Sequence, residues 1–119
     1  MTIKISTTQG VSELAAAGPL QQPMAFPLSG RIETAARKVF ASEDGAITSG
    51  FWRAEPGASR WEFIDRGEII QVLSGRMSAE EDGRDVIHAE PGDVVVFPVG
   101  WKGVWTVTET LTKFYVIYR

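Results

Sequence analysis

The stretch "RGEIIQVLSG", residues 66–75, sets one carboxylate into a run of branched apolar residues. Strand alternation puts Glu68 on one face with Ile70 and Val72, and an ionised carboxylate among such neighbours is costly unless something pairs with it. Glu68 is therefore the leading candidate for general acid or base chemistry. The competing register leaves it at a solvent rim beside Arg66 as an ordinary surface charge. Arg53 and Arg60 carry the planar fork that clamps a carboxylate or ureido oxygen; otherwise they are solvated charges on strand edges. Trp52, Trp61, Phe63 and Trp105 offer faces on which a planar ligand stacks, or else they fill core volume, each burying roughly 150–250 Å² either way. His88 is the only histidine, set between Ile87 and Ala89, and reads as a structural or surface side chain. The chain has no cysteine. Disulfides, thiolate metal sites and cysteine nucleophiles are thereby removed.

The elements that must position these groups are short strands. At 119 residues and 13.0 kDa the chain has the size of one domain with one core. A net charge of -3 and a pI near 5.1 give no general basic surface for phosphate backbones, so nucleic acid is not expected as a partner. From Ile32 onward, β-branched and aromatic segments alternate with Gly, Pro, Asp and Ser punctuation about every ten residues, the pattern of an all-β sandwich or barrel. The strand candidates are 36–41, 47–54, 59–64, 68–74, 76–80, 85–89, 94–97, 103–108 and 112–118. Asp82 and Gly83 lie between two of them as a tight hairpin signal, both residues tolerating positive φ. "VVVF" at 94–97 and "FYVIY" at 114–118 are apolar at consecutive positions, which predicts cover on both faces of those strands.

Residues 1–30 read differently. "AAAGPLQQPMAFPLSG" keeps neither a helical nor a strand period and is expected to be an extended arm, with one or two helical turns at most in "VSELAAA". This N-terminal stretch lacks the apolar core of a signal peptide and any run long enough to cross a membrane. The expected setting is cytoplasmic, with no membrane partner. The domain itself is expected over 31–119.

In "PGDVVVFPVGWKGVW", residues 91–105, Gly92, Pro98 and Gly100 keep the spacing of a motif that runs Gly, five residues, Pro, one residue, Gly, two residues, His, three residues, Asn. Gly103 stands at the histidine position and Val107 at the asparagine position. Upstream, Glu68 and Gly75 match the second half of a companion motif whose two histidine positions hold Trp61 and Phe63. Pro91 and Gly92 also have a local reason, a turn into a buried strand, and Pro98 with Gly100 ends that strand. Over roughly 47–118, with the phrases "EPGASRW" and "LSG", the chain resembles the cupin superfamily. It is similar above all to small single-domain cupins related to ureidoglycine aminohydrolase and to the ethanolamine-utilisation cupins.

The resemblance implies a double-stranded β-helix, the cupin jelly-roll barrel, with the face bearing Glu68 turned inward. Alternation along Gly103, Trp105 and Val107 then places these three on one wall with Trp61, Phe63 and Glu68, while Arg53 and Arg60 stand near the mouth. A cupin metal site needs about three imidazoles and a carboxylate, and one histidine outside both motifs cannot supply it. No metal and no other cofactor is expected. The resemblance also implies a homodimer, with "MTIKIS" or the segment 25–32 at the interface. Three functions fit these residues: a metal-independent cupin binding a small nitrogenous or carboxylate metabolite; a hydrolase, lyase or isomerase using Glu68 as acid or base; and a structural or interaction domain whose pocket is plugged by Trp61 and Trp105.

Overall fold

The computed structural model describes residues 1–119. A short helix α1 (Thr7–Ser12) precedes nine strands: β1 (Ala15–Pro19), β2 (Phe26–Pro27), β3 (Glu33–Ala41), β4 (Ile47–Ala54), β5 (Gly57–Glu62), β6 (Gly67–Glu81), β7 (Val86–Ala89), β8 (Val94–Phe97) and β9 (Lys102–Tyr118). Every pairing between them is antiparallel.

Two long strands, β6 and β9, build the barrel. They pair from Gly67 with Tyr118 at one end to Glu81 with Gly103 at the other. Their outer neighbours change midway. The first half of β6 borders β8 and its second half β7, while β9 borders β5 first and then β4. One layer therefore runs β1-β3-β4-β9-β6-β8 and the other β2-β5-β9-β6-β7, and the two close on each other as a single-domain, all-β jelly roll. The bend falls at Gly75, where φ is +83° and a Cβ would lie 2.0 Å from the Thr110 carbonyl oxygen. Neither the dihedral nor the space admits a side chain, and the register of β6 slips around this point, between Val72 and Met77.

The strand candidates at 68–74 and 76–80 are thus one strand folded at Gly75, and those at 103–108 and 112–118 are one uninterrupted β9. In the turn between β6 and β7 only Gly83 adopts positive φ, and the Arg84 amide donates to the Glu81 carbonyl at 3.0 Å. The two strands flanking Asp82 and Gly83 pair as antiparallel neighbours, Glu80 opposite Val86, as that signal leads one to expect.

Residues 1–30 are also more ordered than an extended arm. The helix ends at Ser12, and the alanines after it form β1, which adds to β3 of the same chain. Farther on, β2 adds to β5. Ala25 and Ile32 sink into the chain's own core, while Phe26 and Leu28 stay exposed. A local sequence window contains no signal for such pairings, because each partner strand lies well downstream.

Within the chain, cover over the outer faces is uneven. Phe51 of β4 is buried on the outer side of its layer by α1: a Cβ at Gly10 would lie 2.2 Å from the Phe51 ring, which also meets Phe114 edge-on at 5.4 Å. On β8, by contrast, Val94 and Val96 remain 62% and 54% exposed. This strand pairs with β6 alone, so it is an edge strand, and nothing lies over its outer face.

Candidate functional site

Inside the barrel the pleat sorts side chains by parity. Glu68, Ile70 and Val72 of β6 stand opposite Ile117, Tyr115 and Lys113 of β9, and Lys113 stands opposite Trp52 of β4. Directly opposed residues share a face, so all seven point inward. Glu68 is 3% exposed and Lys113 2%. Their side chains meet, the ammonium donating to Glu68 Oε2 at 2.5 Å.

The ammonium sits in an aromatic cage. Lys113 Nζ lies 4.5 Å from the ring centroids of Trp52 and Trp105 and 5.6 Å from that of Trp61. Burial holds the Lys113 amine below the ordinary lysine range, and the Glu68 carboxylate pulls it part of the way back. Beside the pair, burial and then the Glu68 charge push the Tyr115 hydroxyl above the usual tyrosine range. Tyr115 is therefore a hydrogen-bond donor at neutral pH.

A cavity of about 420 Å³ opens onto this pair. Trp52, Trp61 and Phe63 supply its ring walls, and Arg66, Glu68, Lys113 and Tyr115 its charged and phenolic groups. The segment from Pro19 to Met24 closes one side, bringing the carboxamides of Gln21 and Gln22 to it. Arg66 takes part in none of the chain's ion pairs. The combination of apolar walls and a few convergent polar groups is that of a small-molecule site.

The other end of the interior is filled. Trp61 stacks on Trp105 at 3.9 Å, Trp105 lies 4.8 Å from Phe97, and Phe97 meets Trp101 edge-on at 5.0 Å. Trp105 and Val107 belong to this packed core and do not line the cavity. Gly103 does not line it either. A Cβ there would fall 2.2 Å from the Glu80 carbonyl oxygen and 2.7 Å from the Trp101 ring, so the glycine exists to let strand and indole approach.

The two arginines expected at the mouth lie elsewhere. Arg53 follows the inward Trp52 in β4 and is exposed on the opposite face. Arg60 precedes the inward Trp61 in β5 and forks onto Asp82, at 2.9 Å and 2.6 Å, on the outer surface. Alternation forbids adjacent residues of a regular strand from facing one pocket, so each arginine is excluded by the tryptophan beside it. The groups that sequence reasoning missed are Lys113, Tyr115 and the arm residues, while Arg66 entered only as a surface neighbour. Lys113 shares parity with Tyr115 and Ile117, but the run that follows it is apolar at every position, so parity alone does not mark it as inward.

These residues do not fit a transition metal. The positions that would carry imidazoles hold Trp61, Phe63 and Gly103, and the Trp61 indole N–H donates to Ser59 Oγ at 2.9 Å. The Glu68 carboxylate is taken by an ammonium, and the chain has no cluster of three or more His, Cys, Asp or Glu side chains able to hold an ion. His88 is exposed on β7.

Comparison with known proteins agrees with this architecture. A family model described as the EutQ-like cupin domain matches residues 41–115. No curated protein matches the chain significantly. Among solved structures, a protein of unknown function from Rhizobium leguminosarum bv. viciae is 24% identical with a TM-score of 0.68, covering 99% of this chain and 97% of that one. The EutQ protein of Clostridium difficile is 23% identical with a TM-score of 0.63, over 73% of this chain. A DUF861-family protein of unknown function from Pseudomonas syringae pv. tomato is 19% identical with a TM-score of 0.75, over 87% of this chain. The chain spans 63% of the EutQ protein's length and 43% of the Pseudomonas protein's.

Proposed function

We propose, from the premise that this chain belongs to the EutQ-like cupin domain family, that it binds a small carboxylate or nitrogenous metabolite in the barrel cavity without the help of a metal. The observation that carries this reading is the cavity itself: indole walls at Trp52 and Trp61, a neutralised Glu68–Lys113 pair at its side, and the unpaired guanidinium of Arg66. A planar acid fits such a lining, its flat face on an indole and its anionic end on the one lining cation that has no partner of its own.

The test is a titration of small carboxylates into chelator-dialysed protein, followed by tryptophan emission and calorimetry. One-to-one binding that chelation leaves unchanged is expected. Binding lost on chelation and restored by a divalent ion would overturn the metal-independent reading.

A second reading is favoured by the short contact between Glu68 and Lys113, which sets a base beside an acid at the cavity wall. The chain is then a hydrolase, lyase or isomerase in which Glu68 shuttles the proton. Glu68→Gln separates the two: it abolishes turnover and preserves binding if the site is catalytic, and leaves any turnover unchanged if it is not.

A homodimer and a cytoplasmic setting complete the proposal. Phe40, Ser49, Val116, Ile69 and Val96 form one row across the outer face of five strands, in register from β3 to β8. Phe40, Ile69 and Val96 are exposed in that row, with the buried Ser49 among them, and exposed apolar side chains ending on an unpaired strand edge are the surface a second copy covers. Light scattering at micromolar concentration reads a dimer if this is so, and a monomer otherwise.

A further inference from the structure

Lys113 is the only primary amine that faces the cavity. The other three lysines, Lys4, Lys38 and Lys102, are exposed on the outer surface. A lysine buried in an apolar barrel does not need a cavity beside it, and a cavity wall does not need a lysine. Here the two coincide, with a carboxylate at 2.5 Å and indole faces at 4.5 Å from the nitrogen.

We propose that Lys113 condenses with the carbonyl carbon of a small oxo acid whose carboxylate rests on Arg66, forming an imine on Nζ. This rests on the ligand-binding reading of the same cavity and names the class of ligand. Each group has one part in the step. Glu68 accepts a proton from the ammonium, and the freed nitrogen lone pair forms the C–N bond while the carbonyl π pair moves to oxygen. One of the two protons left on nitrogen passes to that oxygen, giving a carbinolamine. Protonated Glu68 then returns its proton to the hydroxyl, water leaves, and the nitrogen lone pair closes the C=N bond. The sum is ammonium plus carbonyl to protonated imine plus water, with no oxidant or reductant.

The surroundings suit both ends of this sequence. Burial lowers the cost of losing the proton from Lys113. The protonated imine that results is a flat delocalised cation in the place of the ammonium, still beside Glu68 and the faces of Trp52 and Trp105. Arg66 stands outside the pair and keeps its charge for the carboxylate, which distinguishes an oxo acid from a plain aldehyde.

The experiment treats the whole chain with pyruvate or with propionaldehyde in the presence of cyanoborohydride, then locates reduced adducts by peptide mass mapping. With pyruvate, a single adduct on Lys113 is expected, at least about tenfold ahead of Lys4, Lys38 or Lys102. Arg66→Gln slows the pyruvate adduct about tenfold and the propionaldehyde adduct by less than about twofold, the loss of one charge-assisted contact. Because Lys113→Met alone strands a buried carboxylate, the control is Glu68→Gln with Lys113→Met, which removes both charges and must give no cavity adduct while the melting transition persists.

Adducts confined to the exposed lysines overturn the proposal. If pyruvate still quenches tryptophan emission without reductant in that case, the binding reading stands and only the imine falls. If it neither quenches nor labels Lys113, the imine falls and the carboxylate-binding reading falls with it. Equal labelling by pyruvate in the parent and Arg66→Gln proteins overturns the oxo-acid assignment.

Discussion

The two ends of the barrel interior are crossed by the same two long strands, β6 and β9, and solve opposite problems. At one end Trp61, Phe63, Phe97, Trp101 and Trp105 pack ring against ring. At the other, Glu68, Lys113 and Tyr115 face space. In the filled end the positions that would hold imidazoles elsewhere in the superfamily have become rings and a glycine. At the cavity end, Lys113 of β9 sets an ammonium against the Glu68 carboxylate. The lesson is that a barrel without a histidine ligand set need not be featureless. It divides the volume into a part that stabilises and a part that still offers chemistry.

The strongest test of that division is Trp105→Ala. Removing the central ring of the filled end should cost about 3–5 kcal/mol in denaturant unfolding, because the surrounding rings cannot close the void. A loss under about 1 kcal/mol would mean that this end is loosely packed. Next comes Lys113→Met, expected to cost about 3 kcal/mol by leaving Glu68 charged and alone. The double change with Glu68→Gln should return to within about 1 kcal/mol of the parent, since an apolar and amide pair leaves no uncompensated charge. A double variant as unstable as the single would show that the pair itself, rather than its balance, holds the cavity end together.

The smallest effect belongs to the outer surface and serves as a control on both ends. The Arg60 fork holds the Asp82 carboxyl below its ordinary value of 3.8. A carboxyl with a lowered folded pKa contributes stability above its unfolded pKa and loses it as pH falls through the lowered one. The stability difference between parent and Asp82→Asn should therefore be present at pH 6, begin to shrink as pH falls towards about 4 and vanish only below the lowered folded pKa, with ligand binding at neutral pH unchanged in both.

Much of the site was legible where one rule sufficed. A single charge in phase with Ile70 and Val72 marked Glu68 as buried, and parity alone sorted Gly103, Trp105 and Val107 together. The same parity already excluded Arg53 and Arg60, since Trp52 and Trp61 are their immediate neighbours. Lys113 was harder to find. It precedes "FYVIY", where every position is apolar and no phase can be read, so its direction becomes visible only through its register with Val72 and Trp52. The edge position of Val94 and Val96 is illegible for a related reason: a run of valines has the same pattern in a central strand and in an edge strand. The arm strands β1 and β2 depend on partners far along the chain, which periodicity does not report.

The Glu68–Lys113 contact joins residues 45 positions apart, and this separation governs how the molecule must be assembled. Neither residue gains its partner until β6 and β9 have zipped past Gly75, a late and non-local event with a large loop to close. Until then the carboxylate and the ammonium remain hydrated, and the edge strand β8 has only β6 to hold it. The slow step in refolding is therefore expected to be the simultaneous drying of two opposite charges, and crowded conditions during that interval should favour association through β8 before the barrel shuts.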